Sequence, residues 1–498
     1  MVAIKSRWAA LAALVLCVLV IGLDGTVLNV ALATLAKDLD ASTSQLQWIV
    51  DAYLITFAVL LLPAGLAGDR WGRKRLLLAG VALFGASSAL AAFAQDTAML
   101  IAARAVMGIG AAIIMPLSMS ILPTIFPPHE RAKAISIWSV GMALGLPLGP
   151  IVGGWLLENY WWGSVFLINV PTVLVALLAA AVLLPESRDP SSAPLDGLSV
   201  LLSVAGLGLL VYAVIDAPTS GWGSARVLWC LGTAIVLIGL FVSRNLLRAH
   251  PLVDLRLFRN RGFTWGTVAT VFAALGMMGV LFVLPLHLQA VKGLSAMQTG
   301  IRLIPLILGL AVTGRLAPKV TAKLGYKTTI STGMAVMALG FGLGSFTVLS
   351  TGYLQTAAWL TIVGLGLGMA MVPAMDAVLA TLPQDKAGAG SGLVQTLRQV
   401  SGAFAVAGLG SLLSSVYTQQ LPANAPPIAK QSIVAAAKLG DPGLLHQAQL
   451  AFVRGMDAVL LVSAAAALVG ALLTLLFLPS QAKSEGVQES EHELARVA

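Results

Sequence analysis

Gly65-Leu66-Ala67-Gly68-Asp69-Arg70-Trp71-Gly72-Arg73-Lys74-Arg75 decides the fold class. Long apolar runs flank it, at about 46–67 and 76–94, each near the 20 residues needed to cross a bilayer as a helix. The block between them is therefore a short turn. Gly72 lets it be tight, Asp69 closes the preceding helix, and the bases beside it suit contact with phosphate headgroups.

The rest of the chain repeats this pattern. Of 498 residues, 58% are hydrophobic and only 10% are charged, against roughly 25% charged in a soluble domain. That is too little charge to cover a soluble surface, so most of the chain faces lipid. The net charge of +9 is spread over short loops rather than gathered into a patch, which argues against nucleic acid as a partner. Apolar runs lie near 8–35, 46–67, 76–94, 98–125, 134–157, 164–184, 197–215, 226–243, 263–287, 297–317, 328–349, 357–382, 390–416 and 452–478. The sequence thus predicts an all-α membrane protein with fourteen transmembrane helices. Bases concentrate in alternate loops, among them Arg70, Arg73, Lys74, Arg75, Arg131, Lys133, Arg188 and Arg244. That asymmetry predicts both termini on the cytoplasmic side of a multi-pass protein. The first run is too long for a signal peptide and reads as a retained helix.

A weak internal repeat at a shift near 250 residues leaves helices 7 and 8 unmatched, so the spans read as six plus two plus six. The expected division is a six-helix bundle over 1–188, two inserted helices over 189–250, and a second bundle over 251–498. An extracytoplasmic loop is expected at about 418–451, marked by Pro422, Pro426 and Pro427. Parallel halves around a central cavity are the architecture of a rocking transporter.

A second block, 141–154, sets Gly141, Gly145, Gly149 and Gly153 on one helical face. Small residues in that register let two backbones approach closely, and Pro147 and Pro150 each remove a donor and permit a bend. Ordinary tight packing and a mechanical role both fit these residues. Asp24, Asp51 and Asp376 fall within predicted spans, as does Arg104. A charge at the bilayer centre costs about 2.5–3.5 kcal/mol on insertion scales, so such groups face a cavity or one another. Arg104 cannot lose its charge, whereas a carboxyl beside it can switch between a paired and a neutral state. Asp24 with Arg104 is the expected proton-coupling pair, with a purely structural pair as the alternative. Asp51 and Asp376 are candidates for a second proton or for attracting a cationic substrate. Tyr53, Met115, Met119, Trp138, Met278, Phe282 and Met375 are candidate cavity side chains, since methionine and aromatic surfaces suit varied greasy cations; core packing serves each of them equally well. Arg398 reads as a headgroup or loop anchor.

Other chemistries lack their signatures. Cys17 and Cys230 both lie within spans, so no disulfide framework is expected. His129, His250, His287, His446 and His492 form no metal-ligand pattern. There is no phosphate-binding loop and no nucleophile elbow, so neither ATP-driven transport nor catalysis is expected, and no cofactor beyond protons as the coupling ion.

Taken in order, five motifs carry a resemblance. They are Leu23-Asp24-Gly25-Thr26-Val27-Leu28-Asn29-Val30-Ala31, the block at 65–75, Arg104-Ala105-Val106-Met107-Gly108-Ile109-Gly110, the block at 141–154, and Phe166-Leu167-Ile168-Asn169-Val170-Pro171. The chain resembles, end to end, the fourteen-helix drug:proton antiporter branch of the major facilitator superfamily (QacA- and EmrB-like). Trp48-Ile49-Val50-Asp51-Ala52-Tyr53 leans toward the quaternary-ammonium exporters. The resemblance implies proton-coupled export of amphipathic, cationic drugs, dyes and antiseptics across the bacterial plasma membrane, or else export of one antibiotic or metabolite. It implies lipophilic small molecules and membrane lipids as partners of a monomer; an outer adaptor is conceivable but not indicated. It also implies gating roles for Asp69, Arg70, Gly72, Arg73, Gly145, Pro147, Gly149, Pro150 and Gly153, with Asp69 meeting a helix start near Gly388–Gly392. The chain departs from the quaternary-ammonium exporters at Leu310, where they carry an acid, and at Val394–Val400, where they carry an acidic cluster. Both departures speak against recognition of divalent cations.

Overall fold

The computed structural model describes residues 4–188, 196–248, 251, 255–382 and 387–479. Every regular element among them is helical. His250, His492 and most of the linker expected after residue 188 lie outside the described residues, as do the side chains of His129 and Pro147.

The helices are α1 (Ile4–Asp38), α2 (Thr43–Trp71), α3 (Arg73–Ala92), α4 (Thr97–Ile125), α5 (Pro128–Asn159), α6 (Ser164–Leu167), α7 (Asn169–Leu183), α8 (Gly197–Ser220) and α9 (Ala225–Leu247). They continue with α10 (Arg261–Leu286), α11 (Ala296–Arg302), α12 (Ile304–Gly344), α13 (Tyr353–Ala380), α14 (Ala387–Gln420), α15 (Ile433–Lys438) and α16 (Pro442–Phe477). Local chemistry explains where they begin. Ser42 and Gln45 form a reciprocal capping box at the start of α2, which satisfies two otherwise unpaired donors. The Asp96 carboxylate accepts from Met99 N at 2.7 Å and starts α4. Gly72, at φ 113°, separates α2 from α3 in a conformation only glycine adopts freely.

Two features differ from expectation. The loop expected at about 418–451 is shorter, running from 421 to 441 around α15. Asp441 accepts from Gly443 N at 2.8 Å and Leu444 N at 3.2 Å, so it starts α16 some way ahead of the apolar run. The count of spans also differs. Twelve helical segments among the described residues are long and apolar enough to cross a membrane, against the fourteen expected. One of the twelve, Ala296–Gly344, is 49 residues long and is broken at Gly325, whose φ of 78° and ψ of 164° are not helical. The 32-residue α5 stands apart from the twelve, because several of its positions lie outside the described residues.

The chain forms two compact units. One comprises 1–252 with 281–302 and 403–456; the other comprises 253–280, 303–402 and 457–498. In the first, α1 lies against α5 along the glycine face foreseen in 141–154. A Cβ on Gly145 would stand 2.5 Å from Gly22 Cα and Leu23 N, so these are backbone-on-backbone contacts. Thr26 Oγ1 donates to the Gly145 carbonyl at 2.9 Å across the same seam. In the second unit, Ile330, Met334, Ala370, Ala374 and Ala377 form the core, with Trp265 packed against it and stacked on Phe477 at 4.6 Å.

One joint occurs in both units. In the first, Thr56 Oγ1 on α2 donates to the Ala105 carbonyl on α4 at 2.9 Å, and a Cβ on Gly108 would stand 2.5 Å from the Tyr53 carbonyl oxygen. In the second, Thr313 Oγ1 on α12 donates to the Leu365 carbonyl on α13 at 2.8 Å, and a Cβ on Gly368 would stand 2.5 Å from the Leu310 carbonyl oxygen. Thr56, Tyr53 and Gly108 thus correspond to Thr313, Leu310 and Gly368. The members of these three pairs stand 257 to 260 positions apart in the chain.

Candidate functional site

Close approach of α2 and α4 at Gly108 brings their polar residues into one buried cluster with α1. Arg104 on α4 is 1% exposed and Asp24 on α1 is fully buried. The Arg104 Nη1 donates to Asp24 Oδ2 at 2.7 Å, and its Nε donates to the Ile49 carbonyl on α2 at 3.1 Å. The guanidinium lies 4.2 Å from the centre of the Tyr53 ring and 5.9 Å from that of Phe166. One arginine therefore ties three helices together through an ion pair, a carbonyl and a cation–π contact. Asp24 Oδ1 and the Tyr53 hydroxyl are buried with no hydrogen-bond partner.

Asp51 stands apart from this pair. It is fully buried on α2, and neither carboxyl oxygen has a hydrogen-bond partner. An ionised carboxylate so placed carries a heavy desolvation cost with nothing to offset it, while a carboxylic acid carries far less. Two buried aspartates on neighbouring elements of the chain are thus in opposite situations, one with a counter-charge and one with no hydrogen-bond partner.

Other site residues fall on both units. Trp138 on α5 donates through Nε1 to Ser118 Oγ on α4 at 3.1 Å; both residues are buried, which makes Trp138 a packed strut of the first unit. Met115 and Met119 on α4 are half-buried and Phe282 is buried in the same unit. Met278 and Met375 are half-buried in the second unit. Asp376, also in the second unit, is exposed near the end of α13, so of the three aspartates singled out in the sequence only Asp24 and Asp51 are enclosed. Arg398 is half-buried on α14.

At the basic turn, Asp69 accepts from Arg73 Nε at 2.7 Å, one turn along the chain, and Arg73 Nη1 reaches the Ser120 carbonyl at 3.4 Å. Arg70 is exposed. The helix start near Gly388, expected to meet Asp69, has its side chains largely outside the described residues. Sequence reasoning missed Glu186. Its carboxylate accepts from Lys74 N at 3.1 Å and Arg75 N at 3.3 Å and pairs with Arg75 at 3.7 Å. It thereby caps α3 and compensates the positive end of that helix. The only signal for it was an acid just after the sixth apolar run, too distant in sequence to pair by inspection. Among the described residues, no group of three His, Cys, Asp or Glu side chains is placed to hold a metal ion.

The family model described as "Major Facilitator Superfamily" matches residues 14–406. The chain belongs to the major facilitator superfamily. It is 35% identical over 482 residues to "Multidrug efflux pump LfrA" of Mycolicibacterium smegmatis, covering 93% of this chain and 95% of that one. It is 33% identical to "Tetracenomycin C resistance and export protein" of Streptomyces glaucescens, covering 94% and 91%. It is 34% identical to "Methyl viologen resistance protein SmvA" of Salmonella typhimurium, covering 87% and 88%. Among solved structures, an inward-facing, unoccupied bacterial homologue of the human lysosomal transporter Spinster aligns over 96% of this chain and 100% of that one. The TM-score is 0.69 at 18% identity. A D-xylose–proton symporter aligns over 96% and 99%, with a TM-score of 0.64 at 17% identity. The fold is that of this superfamily, and the protein is a membrane protein.

Proposed function

We propose that the protein is a multidrug exporter: a proton-coupled antiporter of the bacterial plasma membrane, with fourteen spans and both termini in the cytoplasm. Protons are its only coupling agent, and its partners are lipophilic, mostly cationic, small molecules and the surrounding lipid. It works as a monomer by alternating access. Three relatives whose names state drug efflux or resistance support this reading. The observation that carries it is the contrast between Asp24, held against Arg104 at 2.7 Å, and Asp51, buried with both oxygens unpartnered. Asp51 takes up a proton while the pathway is open to the outside, carries it as the neutral acid through the enclosed state, and releases it when the pathway opens to the cytoplasm. Asp24 stays charge-compensated until Arg104 is drawn to another partner.

The energetics set the stoichiometry. One proton moving inward gains about 2.3 kcal/mol per 100 mV of membrane potential and about 1.4 kcal/mol per pH unit. Exchanging one proton for one monovalent cation cancels the electrical part. Strong export of a monocation therefore needs at least two protons, and two enclosed aspartates supply two sites.

The test is ethidium or benzalkonium transport into inverted vesicles with an imposed pH gradient. Wild type accumulates drug when the lumen is acidic and stops when a protonophore is added. Asp51→Asn, an isostere of the neutral acid, folds normally but loses the response to the gradient. Asp24→Asn leaves Arg104 buried without a counter-charge, a situation that costs about 3–5 kcal/mol, so Asp24→Glu serves as its folding control. Pumping that persists without any gradient, or a wild-type gradient response in Asp51→Asn, refutes the proposal. A second reading, export of one antibiotic or metabolite, is favoured by the relative named for tetracenomycin C resistance and export. Transport of one such compound alone, with ethidium and benzalkonium untouched, would select it.

A further inference from the structure

In the first unit, α2 is joined to the distal part of α14 by a single amide side chain. Gln47 is fully buried and lies one helical turn before Asp51 on the same face of α2. Its Nε2 donates to the carbonyl oxygens of Ala407 at 2.8 Å and Val406 at 3.1 Å, and to Ser411 Oγ at 3.3 Å. Ser411 Oγ passes the link on, donating to the Val214 carbonyl of α8 at 2.8 Å. The amide has room there because residue 410 is glycine. A Cβ at that position would stand 2.6 Å from Gln47 Nε2 and 3.0 Å from Phe282 Cε1. Gln47 Oε1, like both Asp51 oxygens, is buried and unpartnered. A leucine would fill the same space without desolvating an amide. What the amide adds is a join of fixed register that water can replace when the helices part.

In the six-plus-two-plus-six arrangement, α2 belongs to the first six helices and α14 to the last six. Alternating access requires such a seam to part on one side of the membrane in each cycle. We propose that Gln47 is a positioning residue of the export cycle, an amide clasp seated over Gly410 that holds α2 to α14 while this end of the pathway is closed. It releases as that end opens, in the same movement that exposes Asp51. The inserted helix α8 is tied to the clasp through Ser411, which gives the extra helix pair a place in the gate. This inference rests on the reading of the protein as an alternating-access exporter.

The test uses the full-length protein with Cys17→Ala and Cys230→Ala as background, and Ala403→Cys as reporter. Ala403 is buried on α14, on the far side of the clasp from the 421–441 segment. A membrane-impermeant maleimide is applied from the face bearing that segment. Gln47→Ala and Gly410→Ala are each expected to raise the labelling rate about tenfold, the effect of losing one or two net hydrogen bonds. Ethidium binding in detergent stays unchanged while ethidium efflux falls. Equal labelling in the parent and both variants overturns the proposal, as does lost efflux with labelling unchanged. Gly410→Ala keeps the test decisive if Gln47→Ala fails to fold. A parent protein that moves no drug tells against the export reading instead, and the labelling comparison still decides the clasp.

Discussion

Replacing Gly145 by alanine tests the backbone-on-backbone contact between α1 and α5. The added Cβ would lie 2.5 Å from Gly22 Cα and Leu23 N, and closer still to the Gly22 carbonyl carbon. All three are backbone atoms, so no side chain can swing aside. The nearest of them, the Gly22 carbonyl carbon, sets the movement: restoring an ordinary contact near 3.4 Å means separating α1 and α5 locally by about 1.3 Å. Overpacking of this kind costs about 1–3 kcal/mol. The same separation breaks the Thr26–Gly145 hydrogen bond of 2.9 Å, worth about 0.5–1.5 kcal/mol net. Together they come to about 2–4 kcal/mol, on the order of thirty- to several-hundred-fold in an equilibrium constant. Gly25→Ala is the matched control, because a Cβ there meets nothing within 4 Å and gains about 0.5–1 kcal/mol of helix propensity. The measurement is thermal unfolding in detergent alongside ethidium efflux from cells. Gly145→Ala should unfold several degrees below wild type, with reduced efflux, while Gly25→Ala should match or exceed wild type in stability. If the two alanine variants behave alike, the backbone-contact argument is wrong.

Two further outcomes follow from the membrane edges. The Arg244 guanidinium beside Asp196, with Nε at 2.9 Å, holds that carboxyl well below the usual carboxylate range. A depressed value in the folded state stabilises the fold above the ordinary carboxylate value and is lost as pH falls through the folded one. Asp196→Asn should therefore be less stable than wild type at neutral pH, with the gap narrowing below about pH 4 in acid unfolding scans. Glu186→Ala removes the cap from α3 and should lower the unfolding midpoint by an amount equivalent to about 1 kcal/mol; Glu186→Gln, still an acceptor, should recover part of it.

The all-helical membrane fold was legible because hydropathy in lipid is a strong signal, and so was the Asp24–Arg104 pair, since unpaired charges in spans are rare. Asp51 was legible as a buried acid but not as a lone one, because isolation is a property of neighbours. Asp376 read the same as the other two in sequence, yet it is exposed, since its helix ends four residues later. Gln47 could not be found at all. A glutamine in an apolar run carries no charge to draw attention, and its acceptors are backbone carbonyls that every sequence possesses. Thr56 and Thr313 were hidden for the same reason, and only the matching geometry reveals them as equivalents.

That shared threonine joint has a further consequence. At its register, Arg104 answers to Gly364 and Asp51 to Leu308, so the joint recurs in the second unit without the ions. Substitutions around α12 and α13 leave the arginine cluster untouched. Altering the joint in the second unit therefore disturbs no buried ion pair among the described residues, whereas altering it in the first disturbs the packing around Arg104.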